Sequence, residues 1–374
     1  MSAAEVDTTI VNSDVLSKYK AAGEISARVL EQVKALAVEG AKIIDISVKG
    51  DELILAETEN IYKGKKLSKG IAFPTSISPN NVVAHLSPSP SDPEAEITLK
   101  AGDVVKITLG TQIDGYAASV ADTIVIGSEI SSRVADVITG AWYAAEAALR
   151  TIKPGNKNWD VTKIVDAVVK DYGVVALEGM LSHQQLQNVV DGKKEIILNP
   201  NENQKRDFET HTFEEGEVYG VDILVSTGEG KVRPGETTTS VFKKNNTTYQ
   251  LKLQTSRATI SEVQKKAGTF PFTIRSLDDP RKARMGLKEA ITHNLVTPYD
   301  VVYEKSGEIV VQFFATIGLT KNGTVKFAGP VAPNFDVIKS DKKITNEEIV
   351  QLLNKPLKPA NRKRNKKKTT EASA

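Results

Sequence analysis

The sequence predicts an α+β fold: a mostly antiparallel sheet with outer helices, built as two halves of related pattern. Three observations predict it. Helical periodicity is followed by runs of strand residues, and that succession occurs twice. Ala101 to Leu109 (AGDVVKITL) resembles Glu215 to Ile223 (EGEVYGVDI), each an acidic turn leading into an apolar strand. The repeat implies halves whose matching strands lie side by side, with Thr108 and Asp222 in equivalent positions. Finally, Asp114-Gly115 and Asn322-Gly323 separate strand-like runs, as tight hairpins require.

In chain order, a helix is expected from Asp14 to Val38. Leu16, Tyr19, Ala22, Ile25, Val29, Val33 and Leu36 recur at three- and four-residue spacing, and Gly40 stops the run. A second helix is expected from Ser47 to Ile61. Gly70 to His85 mixes short strand signals with Pro and Asn-Asn turns. Val104 to Leu109 and Ala117 to Ile126 form a hairpin across Asp114-Gly115. Ser132 to Leu149 and Trp159 to Tyr172 read as helices parted by Lys153-Pro154-Gly155. Strands follow at Val218 to Val225 and around Ser240 to Leu253, then helices at Ile260 to Lys266 and Pro280 to Asn294. Glu308 to Leu319 and Val325 to Ala328 form a hairpin turning at Asn322-Gly323. A short helix, Asn346 to Leu353, precedes the end of the chain.

The charge is unevenly spread. The chain has 49 Lys or Arg against 47 Asp or Glu. Its last twenty residues, KPLKPANRKRNKKKTTEASA, hold eight of the bases (Lys355, Lys358, Arg362, Lys363, Arg364, Lys366, Lys367, Lys368) and one acid, Glu371. A body with 41 bases and 46 acids therefore precedes a strongly cationic segment. With no large apolar residue after Leu357, that segment is expected to be a disordered polybasic tail (355–374) on a folded domain (1–354). Such a tail seeks polyanions, so nucleic acid is the expected partner class. A nuclear import address and an anionic lipid surface are the other readings of the tail. Lys63, Lys65, Lys66 and Lys69, Lys243-Lys244, Lys265-Lys266, and Arg281-Lys282 with Arg284 are smaller clusters. Each reads as solvated surface or, together, as an extension of a phosphate-binding face. No apolar run is long enough to span a bilayer, and the N-terminus lacks the pattern of a secretory signal. The absence of cysteine excludes disulfides, thiolate metal sites and a cysteine nucleophile.

GIAFPTSISPNNVVAHLSP, KITLGTQIDGYAASVADT, EGMLSH, EVYGVDILVSTGEG and IVVQFFATIGL, in that order, resemble the type 2 methionine aminopeptidase-like, pita-bread (creatinase/aminopeptidase-like) superfamily. Ser256 to Ala258 and PRKARMG at Pro280 to Gly286 bring the resemblance nearer to the proliferation-associated, ErbB-receptor-binding branch and fungal curved-DNA-binding proteins. Active members hold two divalent metals with two Asp, one His and two Glu. Carried over by position, the resemblance places Thr108 and Ser119 at the aspartates, His183 at the histidine, and Asp222 and Phe314 at the glutamates. His85 matches a substrate-side histidine, and Gln184 to Gly192 contains no second one. Three carboxylates are thus replaced, and one imidazole with one carboxylate cannot clamp two metals about 3.5–4 Å apart. No cofactor and no hydrolysis are expected. His85, Thr108, Ser119, His183, Asp222 and Phe314 then line a vestigial pocket, with capture of a chain terminus, or of a single metal, as the alternatives.

The resemblance implies a non-enzymatic nucleic-acid-binding protein of nucleus, nucleolus and cytoplasm. It would bind curved DNA, structured ribosomal RNA near the exit of the large ribosomal subunit, or both, by shape and charge. The expected contact residues are the tail cations with Lys243 and Lys244. A protein-binding adaptor with a vestigial peptide pocket, and a residual metallo-aminopeptidase, are the alternatives. No membrane contact is expected.

Overall fold

The computed structural model describes residues 7–127 and 129–358. The first half begins with α1 (Ser13–Leu36), α2 (Ile43–Asn60), β1 (Lys69–Pro79) and β2 (Val82–Ala84), and closes with β3 (Val104–Ile113) and β4 (Tyr116–Val125). Asn12 caps α1 by accepting from the Asp14 amide at 3.0 Å. Val15, Tyr19, Ala22, Ile25, Val29 and Val33 bury one stripe of that helix. The expected strand signals from Gly70 to His85 resolve into the long strand β1 and the short β2, parted by a turn at Asn80-Asn81. β1 tolerates Pro74 because its pairing with β3 shifts register twice, between Ile71 and Phe73 and between Phe73 and Ser76.

The second half runs through α3 (Ser132–Thr151), α4 (Asn158–Asp171), β5 (Val175–Ala176), β6 (Leu181–Gln185), β7 (Glu195–Ile197), α5 (Glu202–Asp207) and β8 (Val218–Ser226). Then come β9 (Arg233–Pro234), β10 (Val241–Lys244), α6 (Gln254–Lys266), β11 (Phe272–Thr273), α7 (Pro280–Thr292), β12 (Val296–Tyr299) and β13 (Val302–Tyr303). The last elements are β14 (Val310–Thr320), β15 (Gly323–Ala328) and α8 (Glu347–Leu353).

A nine-stranded antiparallel sheet in the order β1-β3-β4-β14-β8-β6-β7, with β15 also on β14 and β5 also on β8, forms the frame. The repeat is real in three dimensions but arranged differently from expectation. The matching strands β3 and β8 are not neighbours, because each keeps its own partner, β4 or β14, on its inner side. Those partners meet at the centre through Phe314 and Ala121. Thr108 lies opposite Ala121 and Asp222 opposite Phe314, so the two are equivalent about that centre.

Helices cover one face of the sheet. α1 and α2 bury Val105, Ile107, Leu109 and Val120, while α3 and α4 bury Val221, Ile223, Val311 and Phe313. A smaller core of Phe242, Leu251, Val263, Phe272, Ile274 and Leu287 unites β10, β11, α6 and α7 as a separate unit. The expected strand from Ser240 to Leu253 is a strand only to Lys244, since Lys244 opposite Val296 is the last pair of the β10–β12 ladder. At the other end of the description, the Lys355 and Leu357 carbonyls accept from Arg150 Nε and the Thr324 amide, and Leu357 packs on the main core. Residues 355–358 therefore follow the body, and the rest of the cationic segment lies outside the described residues.

The β3–β4 turn has Asp114 at φ 55° and Gly115 at φ 82°, the geometry of a type I′ hairpin. A Cβ on Gly115 would stand 2.5 Å from Asn188 Oδ1, whereas one on Gly40, at the same φ of 82°, meets nothing within 4 Å. Gly40→Ala should therefore cost about 1 kcal/mol from backbone strain alone. Gly115→Ala should cost more, about 2–3 kcal/mol, from strain plus overpacking. Urea denaturation of the two variants checks the ordering.

Candidate functional site

Directly opposed residues of antiparallel strands point to the same face. The pairs Thr108–Ala121, Ala121–Phe314 and Phe314–Asp222 therefore set one row across β3, β4, β14 and β8, on the face away from the helices. Two residues along, Ser119 is opposite Gly110 on that face, and His183 is opposite Gly220. The structure thus brings Thr108, Ser119, His183, Asp222 and Phe314 onto one continuous surface.

Gln312, two residues before Phe314, ties the row together. Its Nε2 donates to Asp222 Oδ1 at 2.8 Å, and its Oε1 accepts from Thr108 Oγ1 at 3.0 Å. An amide spans the space between the two equivalent positions of the halves. Burial pushes the Asp222 carboxyl up to about 7, although the Gln312 hydrogen bond favours its charged form. Phe314 leans over Gly220, where a Cβ would lie 2.7 Å from the ring, so the glycine lets an aromatic side chain fill the surface. His183 Nδ1 stands 3.4 Å from Glu195 Oε1 without a hydrogen bond, and Gln185 Oε1 also lacks a partner within the protein. Gln312, Gln185 and Glu195 are residues the sequence reading did not single out.

His85 sits at the rim, at φ 67°, with Nδ1 3.2 Å from the Asp300 carbonyl. It packs against Tyr299 and Phe73 at ring separations of 5.1 and 5.9 Å. Burial holds its imidazole below the ordinary value. Phe73 is opposite Gly110, which joins the aromatic trio to the row through Ser119. Below them Lys106 is fully buried, and its Nζ donates to the Asn80 and Val310 carbonyls at 2.9 Å each. Burial without an acidic partner brings that ammonium down to about 7.

The donors on this surface do not fit a two-metal centre. Asp222 is the one carboxylate in the row, and its Oδ1 already accepts from an amide. Among the described residues no three His, Asp or Glu side chains converge on a point where an ion could sit.

The cations are arranged elsewhere. Residues 241–295, which contain β10, α6, β11 and α7, hold eleven Lys or Arg and four Asp or Glu. With the twenty C-terminal residues also set aside, 30 bases and 42 acids remain. The counts were open to inspection in the sequence, but only the separate small core shows that 241–295 is one unit. Of the individual candidates, Lys243 is turned inward and paired with Asp191 at 2.8 Å. Among the described residues, Lys244 Nζ donates only to the Asn245 carbonyl, at 3.3 Å. Arg281, Lys282 and Lys288 stand exposed on α7 with no ion pair among the described residues. Lys355 and Lys358 are exposed; Arg362, Lys363, Arg364, Lys366, Lys367 and Lys368 lie outside the described residues.

The sequence profile described as metallopeptidase family M24 matches residues 17–243. The chain belongs to that family. It is 50% identical over 370 residues to a curved DNA-binding protein of Schizosaccharomyces pombe, covering 98% of this chain and 97% of the relative. It is 43% identical over 325 residues to an ErbB-3 binding protein 1 of Arabidopsis thaliana, covering 86% and 81%. A solved structure of a thermophilic Arx1 superposes with a TM-score of 0.88 at 37% identity, over 93% of this chain and all of that one. The pita-bread architecture of M24 proteins is therefore the architecture of this chain, with its antiparallel sheet and eight helices among the described residues.

Within that M24 frame the site carries a pH signature. The Asp222 carboxyl titrates near 7 when folded and near 3.8 when unfolded, so the folded chain holds the extra proton between those values. Stability from this group is greatest below about pH 4 and falls as pH rises toward 7. Asp222→Asn should raise Tm at pH 8 by several degrees and change it little at pH 4. Thermal melts of both proteins across that range test the sign.

Proposed function

We propose that this chain is a non-hydrolytic M24 protein that binds nucleic acid by charge and shape. One observation carries the reading: the excess cations fall in residues 241–295 and 355–374, while the rest of the chain is acidic. A net acidic remainder disfavours a polyanion relative to those two segments, so charge favours binding and orientation through them. Contacts of this kind go to phosphates and carry little base information. Preference among duplexes then comes from bending and groove width. The name of the 50% identical relative, a curved DNA-binding protein, agrees with that reading. Structured RNA of the large ribosomal subunit is the second polyanion implied by the resemblance. The tail is also suited to serve as a nuclear import address, which gives the protein a place in nucleus, nucleolus and cytoplasm.

The row supports the non-hydrolytic reading. Thr108, Ser119 and Phe314 offer no carboxylate, and Gln312 occupies the hydrogen-bonding capacity of Asp222 that faces Thr108. His85, Thr108, Ser119, His183, Asp222 and Phe314 are then a vestigial pocket. A protein partner is a second reading, favoured by the name of the Arabidopsis relative.

Binding to duplex DNA and to ribosomal RNA fragments across a salt series tests the charge reading. The slope of log K against log salt should shrink by about 0.9 for each phosphate contact removed on duplex DNA. The chain ending at Asn354, and the double variant Arg281→Glu with Lys288→Glu, should each flatten the slope and weaken binding on every sequence. Unchanged slopes in both variants would remove these cations from the function. Methionyl-peptide cleavage with added cobalt or manganese should not exceed that of His183→Ala; turnover abolished by that substitution would overturn the non-hydrolytic assignment.

A further inference from the structure

Residues 245–253, between β10 and α6, form a loop that is tied down at both ends. Asn245 Nδ2 donates to the Asn294 carbonyl at 3.0 Å and to Thr297 Oγ1 at 2.9 Å. The Lys252 and Leu253 amides donate to the two oxygens of Glu289, at 2.7 and 3.2 Å. Between these anchors the Tyr249 ring stacks on His293, centroids 3.7 Å apart and planes within 13°. Tyr249 remains 37% exposed although one of its faces is covered.

Tyr249 is one wall of an open groove of about 490 Å³, a size that takes small ligands. His293 is not among the groove's walls, so it backs the tyrosine from the other side. Three cations, Lys244, Arg257 and Lys265, border the groove, and no carboxylate does. None of the three is in an ion pair among the described residues. Arg257 is fixed by donating to the Leu251 and Lys252 carbonyls, at 3.0 and 2.7 Å. Gln250, Ser261 and Gln264 add neutral donors and acceptors.

We propose that this groove takes one unpaired nucleotide of an RNA or DNA strand. Its base stacks on the face of Tyr249 opposite His293, and its flanking phosphates lie against Lys244, Arg257 and Lys265. An aromatic face beside unpaired cations is the combination that single strands use, since every base has a π-face and every linkage a charge. A fully paired duplex keeps its bases stacked on one another and cannot reach the ring, so the groove selects bulges, loops and ends. The inference rests on the nucleic-acid reading above and adds to it a preference that charge alone does not supply.

The test uses the full chain and four hairpin probes, RNA and DNA, each either fully paired or carrying one bulged 2-aminopurine. The bulged probes should bind at least about fivefold more tightly than the paired ones, and their emission should change on binding. Tyr249→Ala should abolish that preference and the emission change while leaving affinity for paired probes intact. Tyr249→Phe, which keeps the ring, should retain both, and circular dichroism confirms that each variant is folded. A difference between RNA and DNA bulges identifies which strand the groove prefers. Persistence of the preference in Tyr249→Ala, or no preference in the unaltered chain, overturns the proposal. Failure of the unaltered chain to bind any probe overturns the nucleic-acid reading as well, which separates the two.

Discussion

The two-residue period of β14 is the constraint on which the rest depends. Val311, Phe313, Ala315, Ile317 and Leu319 point into the principal core beneath the helices. The intervening Gln312, Phe314 and Thr316 point the other way, toward the surface that resembles an active site. Because β14 pairs with β4, β8 and β15, a one-residue slip would invert both sets at once. The same register that seals the core therefore places Phe314 opposite Asp222 and Gln312 beside it. Stability and the arrangement of the site are consequences of one alignment.

The surface is chemically coherent as it stands. A surface built for two metals needs several anionic oxygens held against one another, and such a cluster costs stability unless cations neutralise it. Here an amide joins Thr108 to Asp222, an aromatic ring lies over Gly220, and burial favours the neutral Asp222 carboxyl. Each of these features keeps the charge of the surface low. With little charge to neutralise, the sheet needs no ion for its stability. Along the sequence, the excess of cations over acids falls in 241–295 and 355–374, against an acidic remainder. At physiological salt, fields reach about 8 Å, so a cationic unit on an acidic body acts as a local patch rather than as a net charge.

Much of the fold was legible in the sequence because its signals were local. α1 and α3 show apolar stripes, Asp114-Gly115 has the backbone that a type I′ turn demands, and the repeat marks equivalent strands. What escaped was non-local. β6, Leu-Ser-His-Gln-Gln, has no apolar alternation, since it is a strand only through its pairing with β7 and β8. The repeat did not reveal that β4 and β14 intervene between β3 and β8, because β14 reaches β8 only from far along the chain, past β9–β13 and two helices. At the site, the row of five residues came from resemblance, but the role of Gln312 depends on a cross-strand distance that no spacing encodes. Lys243 shows the opposite failure: its neighbour in sequence is basic, yet its neighbour in space is Asp191. Tyr249 was hidden in a stretch that read as strand.

The proposed division between a pocket on the sheet and cation-rich segments elsewhere in the chain is tested most directly by mapping where nucleic acid touches the protein. Ultraviolet crosslinking of the full chain to a labelled oligonucleotide, followed by mass spectrometry of the modified peptides, gives that map. The account predicts adducts within residues 241–295 and 355–374 and none on β3, β4, β8 or β14. Adducts concentrated on those strands, at Thr108, Asp222 or Phe314, would contradict it.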